Sequence, residues 1–375
     1  MTRAVALENS SQRSVFMLKE RTIFHRAFPI IIALFVYLRM RTADYGFSYD
    51  YGAYLRIMDV LSGLSFSEML GEYLTFPYIY TQGLIPVEIG FGLLVKTISL
   101  TGASPQATIA IIAAFSVGLR MQVMQSLGMP PYWNILINVL AITLMEANAL
   151  RLGLSVSVLL LGLRNIYWRR HYVGFLAIAL SVTFHFQAVL FCVPFTILYI
   201  ITKNVKLAKA RLVGLVIFIT VVELFAIKLI PFLAVDKLQD YAARGSSNSA
   251  GLSITSGIAL FLFGSTVAAL QFKGLKNVDS NFFSIITAAS LPSLILLITL
   301  TEVAVLGDRA WQLAFIMFAA FFFINWSETR SKLVPMLFLI TLTTIILINV
   351  LLRFPLSNFF SPPVPHFIPY VEQGR

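Results

Sequence analysis

Asn148-Ala149-Leu150-Arg151-Leu152-Gly153-Leu154 opens an apolar run that closes on the basic turn Trp168-Arg169-Arg170-His171, and a second apolar run carrying His185 follows at once. Two apolar stretches of roughly membrane-spanning length, joined by a short positively charged turn, read as a transmembrane helical hairpin. Arg151 stands about one turn from the non-basic end. A helix rises ~1.5 Å per residue, so His185 lies ~20 Å from the basic turn, toward that same end. Ionisable side chains inside a membrane are costly to place and mark functional sites by default. Two of them at one depth point to a membrane enzyme working on the outer face.

Composition supports the membrane reading along the whole chain. Of 375 residues, 58% are hydrophobic and only 12% charged, with a mean hydropathy of +0.84. Soluble domains carry about 25% charged residues, so an ordinary soluble core is excluded. The net charge of +11 collects in short loops between apolar segments, the positive-inside pattern, and no basic run alternates with aromatics as nucleic-acid binding would require. Cys192 is the single cysteine and can form neither an intrachain disulfide nor a metal cluster. A polar N-terminal stretch without a small-residue cleavage site reads as no cleavable signal.

Apolar segments fall at residues 24–41, 83–101, 104–122, 132–146, 147–166, 172–186, 187–201, 212–233, 253–272, 282–306, 310–326 and 333–352. The expected fold is all-α: a polytopic helical membrane protein with about eleven transmembrane helices. Residues 1–23 form a cytoplasmic N-terminal tail, 24–353 the transmembrane domain and 354–375 a C-terminal tail. Four basic loops belong in the cytoplasm: Arg164 with Arg169 and Arg170; Lys203, Lys206, Lys209 and Arg211; Lys273 and Lys276; Arg330 and Lys332. A cytoplasmic N-terminus then requires an even number of spans before Arg164, where five segments stand. The segment containing Glu88 is the first suspect for a re-entrant or interfacial piece. Residues 42–82 make an extended outer loop rich in Tyr and Phe, with Asp44, Asp50, Asp59, Glu68 and Glu72 and a helical-looking piece at 51–64.

On this topology Arg244 lies in an outer loop, Arg309 follows outer-loop residues Gly307 and Asp308, and Glu302 precedes them on a helix. Arginine is planar and always charged, and it can bind phosphate oxygens through two parallel bonds. The alternative for Arg151 is to snorkel to the interface or to pair with Glu146, five residues before it. His185 is either a satisfied core histidine, with Thr183 and Gln187 as partners, or a catalyst. Glu88 could be a base, an arginine's partner or an interfacial charge. Glu223 and Lys228 share a span without sharing a face. No zinc-protease, P-loop, nucleophile-elbow or cysteine-cluster motif occurs, and neither a metal nor a cofactor is expected.

The order Asp50-Tyr51-Gly52-Ala53-Tyr54, Glu88-Ile89-Gly90-Phe91, Asn148 to Leu154, Phe184-His185, Tyr241 and Arg309 resembles the EpsG/Wzy-like polysaccharide (O-antigen) polymerase family over roughly residues 45–325. One departure is Arg151-Leu152-Gly153 where that family has arginine, glutamine and a small residue. The resemblance implies a glycosyltransferase of the bacterial inner membrane. It would move a growing glycan from undecaprenyl pyrophosphate to the non-reducing sugar of a new lipid-linked oligosaccharide repeat on the periplasmic face. Arg151 and Arg309 would hold the pyrophosphate with His185 nearby, and Arg244 and Tyr241 would join the substrate-binding set. Glu88 or Asp50 would orient or deprotonate the acceptor hydroxyl, and Tyr51 and Tyr54 would pack on sugar faces. Expected partners are the lipid-linked oligosaccharide, the bilayer and a chain-length-regulating protein, with no nucleic acid. Rival readings are a flippase for the lipid-linked repeat, an O-antigen ligase and a membrane O-acyltransferase.

Overall fold

The computed structural model describes residues 27–42, 51–75, 78–81, 85–146, 149–204, 214–222 and 225, together with shorter helical pieces between 282 and 290 and between 312 and 317. Asp50, Tyr241, Arg244 and Arg309 lie outside the described residues, as do Glu223, Lys228 and Glu302.

Helix α1 spans 27–41. Its Ile30, Ile31, Leu34, Phe35 and Leu38 are exposed, a continuous apolar stripe suited to lipid rather than water. Then come α2 (Tyr51–Gly63), α3 (Phe66–Thr75), a hairpin of β1 (Tyr78–Thr81) and β2 (Ile85–Glu88), α4 (Ile89–Ser99), α5 (Pro105–Ser126), α6 (Pro131–Ala141), a π-helical turn (Ile142–Glu146), α7 (Leu150–Tyr167), α8 (His171–Phe184) and α9 (Val189–Asn204). Three described helical stretches are long and apolar enough to cross a membrane: Pro105–Ser126, Leu150–Tyr167 and Phe186–Lys203.

The all-α expectation holds for the bundle but not for the segment 83–101. That segment divides into the strand Ile85–Glu88, paired antiparallel with Tyr78–Thr81, and the 11-residue helix α4. Eleven residues extend ~16 Å, about half the hydrocarbon thickness.

Local chemistry explains the ends of these elements. Ser104 caps α5 by accepting from Ala107 N at 3.2 Å, with Pro105 in the first turn. Ser65 and Glu68 form a reciprocal cap on α3: Glu68 Oε2 accepts from Ser65 N at 2.7 Å, and Ser65 Oγ accepts from Glu68 N at 3.2 Å. Hydrogen bonding from Ser65, its backbone N–H first and its side chain second, holds the exposed Glu68 carboxyl below its usual range. At the basic turn Arg169 takes a left-handed φ of 62°. Arg169 N then reaches Ile166 O at 2.9 Å and Arg170 N reaches Asn165 O at 2.8 Å, the paired bonds that close a helix when one residue turns left-handed.

The basic turn packs α7 antiparallel to α8. Gly162 and Gly174 let the two backbones meet: a Cβ on Gly162 would lie 2.8 Å from Gly174 O, the close approach that small residues permit between membrane helices. Ser155 Oγ also donates to Ser181 O at 2.7 Å. Helix α5 runs parallel to α7, since Ser116 Oγ lies 3.1 Å from Ser157 Oγ and Arg164 Nη1 lies 3.5 Å from Ser126 Oγ farther along both. Helix α9 runs back along α8, bringing Tyr199 Oη to 3.1 Å from His171 Nδ1 beside the basic turn. The first residues of α7 and the last of α8 therefore share the end of the bundle away from Arg169 and Arg170.

Candidate functional site

Glu88, Arg151 and His185 come together at that end. Glu88 is the last residue of β2 and the residue before α4, in extended backbone. Its side chain does not cap α4 but points to the α7–α8 hairpin. Glu88 Oε2 accepts from Arg151 Nη1 at 2.5 Å. Glu88 Oε1 lies 3.0 Å from His185 Nδ1 and 3.4 Å from Phe186 N. The carboxylate thus sits between a guanidinium and an imidazole that are 34 positions apart in sequence.

The His185 ring is held on both sides, because Nε2 lies 3.0 Å from Gln187 Oε1. His185 occupies a break between α8 and the single 3₁₀ turn Phe186–Ala188. That break turns the chain so that Gln187, two residues on, can reach back to the ring. The Arg151 and Glu88 side chains are 9% and 5% exposed and that of His185 is 13%. The cluster is nearly dry, yet its histidine is its most open member, and electrostatic interactions there are stronger than in water.

Tyr73 of α3 buttresses the cluster. Its hydroxyl donates to Val87 O at 3.1 Å and Glu88 O at 3.2 Å. Burial first, and the Glu88 charge second, push this phenol above its usual pKa, so it remains a donor across the physiological range. Nothing in the local sequence around Tyr73 announced this role, because its acceptors lie 14 and 15 residues away.

Several expectations change. Tyr51 and Tyr54 are 1% and 6% exposed. The Tyr51 hydroxyl donates to Met40 O at 2.9 Å, and Tyr54 packs its ring 6.3 Å from that of Phe91. Both belong to the packed face of α2 with Leu55, Ile57, Met58 and Leu61, so protein occupies the ring faces expected to meet sugars. The spacing of residues 51, 54, 55 and 58 is that of one helix face, a signal available in the sequence. The suggested Arg151–Glu146 pair is replaced by Arg151–Glu88, while Glu146 binds Arg120.

Arg120 was not singled out by its sequence. Arg120 Nη1 and Nη2 donate to Glu146 Oε1 and Oε2 at 2.8 and 3.0 Å, and Nε donates to Asn138 Oδ1 at 2.7 Å. Ser116 Oγ adds a bond to Glu146 Oε1 at 2.8 Å. Asn138 Nδ2 donates to Asn134 Oδ1 at 2.8 Å, and Asn134 Nδ2 donates to Met121 O at 2.9 Å. Among the described residues, no three His, Cys, Asp or Glu side chains gather as a metal site needs.

The EpsG family model matches residues 26–362, a range that includes Glu88, Arg120, Arg151 and His185. The chain belongs to the EpsG family. For this EpsG-family membrane protein, no curated protein and no solved structure gives a match.

Proposed function

We propose that this EpsG-family chain is a polysaccharide polymerase. It transfers a growing glycan from undecaprenyl pyrophosphate to the non-reducing sugar of a new lipid-linked repeat, at the outer face of the bacterial inner membrane. The observation that carries this reading is the convergence of Glu88, Arg151 and His185 at the end of the helix hairpin opposite Arg169 and Arg170. Lys and Arg favour the cytoplasmic side, so a site at the other end faces outward, where lipid-linked repeats are joined.

In the reaction, the acceptor hydroxyl oxygen forms a bond to the anomeric carbon of the growing chain. The bond from that carbon to the pyrophosphate oxygen breaks, and undecaprenyl pyrophosphate leaves with the electron pair. Arg151 stabilises the charge that develops on this leaving group, with Arg309 and Arg244 as further cations of the substrate site. His185, neutral with its proton on Nδ1 toward Glu88, takes the hydroxyl proton at Nε2 once the acceptor displaces the Gln187 amide from that nitrogen. Glu88 orients the ring through Nδ1 and stabilises the cation that forms. Both Glu88 oxygens already accept bonds, so an orienting role suits it better than direct deprotonation. The lipid pyrophosphate is itself activated, and no nucleotide sugar takes part. Asp50 and Tyr241 are kept as candidate contacts to the acceptor, and a chain-length-regulating protein as a candidate partner.

The purified chain in lipid nanodiscs, supplied with a synthetic undecaprenyl-pyrophosphate repeat unit, tests this proposal. A ladder of products one repeat apart supports it. Unchanged substrate beside correctly folded protein overturns it, and transfer to lipid A in place of a ladder would indicate a ligase.

A further inference from the structure

Helix α7 begins without a side-chain cap: Ala149 precedes it and supplies no hydrogen-bonding side chain. A long helix can slip or rotate at such a start, and Arg151 is its second residue. The restraint lies behind it. The π-helical turn ends at Glu146, whose carboxylate is gripped through both oxygens by Arg120 and through Oε1 by Ser116. Glu146 in turn abuts Gly153, where an added Cβ would lie 2.6 Å from Glu146 Oε1 and 3.3 Å from Met145 Cβ. Ser157 Oγ donates to Gly153 O at 2.8 Å and lies 3.1 Å from Ser116 Oγ. Residues on both sides of Arg151, five before and two after, are thus fixed to one buried network, and Arg120 at its centre is fully buried.

We infer that the Arg120–Glu146 pair is a positioning device that sets where Arg151 emerges from α7 and so brings it onto Glu88. Arg120 and Glu146 touch neither Glu88 nor His185 in the bonds described above, so they are positioning residues and not catalytic ones. A buried, fully bonded ion pair contributes little net stability compared with apolar residues of the same volume, whereas it fixes direction. A displacement of ~1 Å at a reacting centre can lower a rate about 100-fold. The catalytic consequence rests on the polymerase reading; the geometric coupling does not.

Two measurements on the full chain in nanodiscs separate these claims. The first is a thermal cycle with Arg120→Lys, Glu88→Gln and the double variant. Arg120→Lys keeps the charge and loses the two-pronged grip. If Arg120 aligns Arg151 with Glu88, it has less to align once Glu88 is neutral. The Tm loss of the double variant should then fall short of the summed single losses by ~2 °C or more. Additive losses would overturn the inference, whatever the activity.

The second is Gly153→Ala, which changes no charge and presses a methyl group on Glu146. A kcat lower by ~10-fold or more with KM within about twofold is expected for a displaced catalytic group. Unchanged kcat in folded Gly153→Ala protein would also overturn it. Should Gly153→Ala not fold, the Arg120→Lys cycle decides alone. Should the wild-type chain make no ladder, the polymerase reading fails while the thermal cycle still decides the coupling.

Discussion

Arg120 with Glu146 and Arg151 with Glu88 are both arginine–glutamate pairs among apolar helices, and their surroundings divide their tasks. The first pair is joined by two bonds, is 0% exposed at both side chains, and is bonded further by Ser116 and Asn138, with Asn134 holding Asn138. The second is joined by a single described bond and shares its carboxylate with a partly open histidine. A pair closed on itself fixes geometry. A pair that shares a group with a partly open imidazole can do chemistry. On the proposal above, the first pair is the frame and the second belongs to the site.

Breaking the frame should have the largest effect. Arg120→Met leaves the Glu146 carboxylate buried without its guanidinium, and loss of one partner of a buried pair costs about 3–5 kcal/mol. The yield of monodisperse protein on size exclusion and its Tm should both fall sharply. Glu88→Gln should behave differently. Its Tm should fall less than that of Arg120→Met, because its pair is not fully sealed, while kcat/KM for repeat addition falls by roughly 10²-fold, because the amide keeps the shape but no longer stabilises the His185 cation. A comparable fall in Tm in both variants would erase the distinction between the two pairs.

Finer variants sharpen the comparison. Tyr73→Phe removes a hydroxyl shared between Val87 O and Glu88 O. It should lower Tm by an amount equivalent to about 1 kcal/mol and reduce turnover several-fold. Glu68→Gln should have the smallest effect, since Glu68 is exposed and caps the short helix α3. Its folded pKa is depressed, so its contribution is present above the ordinary carboxylate value and is lost as pH falls through the folded one. Amide-exchange protection in α3 should therefore be weaker in Glu68→Gln than in wild type near neutrality. The difference should fade only once the pH has fallen below the ordinary carboxylate range. A difference that persists at low pH would contradict the cap.

The sequence made the scaffold of the site legible and left its wiring hidden. The apolar runs on either side of Arg169 and Arg170 predict the α7–α8 hairpin, and counting from that turn puts Arg151 and His185 at one end. The Glu88 segment holds the strand Ile85–Glu88 and the helix α4, a division its apolar run did not show. Pairing was not legible, because the contacts cross the chain: Glu88 meets Arg151 63 residues away and His185 97 residues away. Glu146 is near Arg151 in sequence, yet its partner is Arg120, 26 residues earlier on another helix. Local spacing reports which residues share a face, and the packing of α5, α7 and β2 decides which charges meet. Tyr51 and Tyr54 show the converse, since the family resemblance suggested sugar contacts where helical spacing puts them on the packed face of α2.

The most direct test is a kinetic cycle on repeat addition with Glu88→Gln, His185→Asn and the double variant, each checked for folded protein. If Glu88 and His185 act as one unit, the double variant should be no slower than the worse single variant by more than about threefold, as expected when groups function together. Losses that multiply, or a full product ladder from either single variant, would contradict the claim that these side chains form one catalytic site.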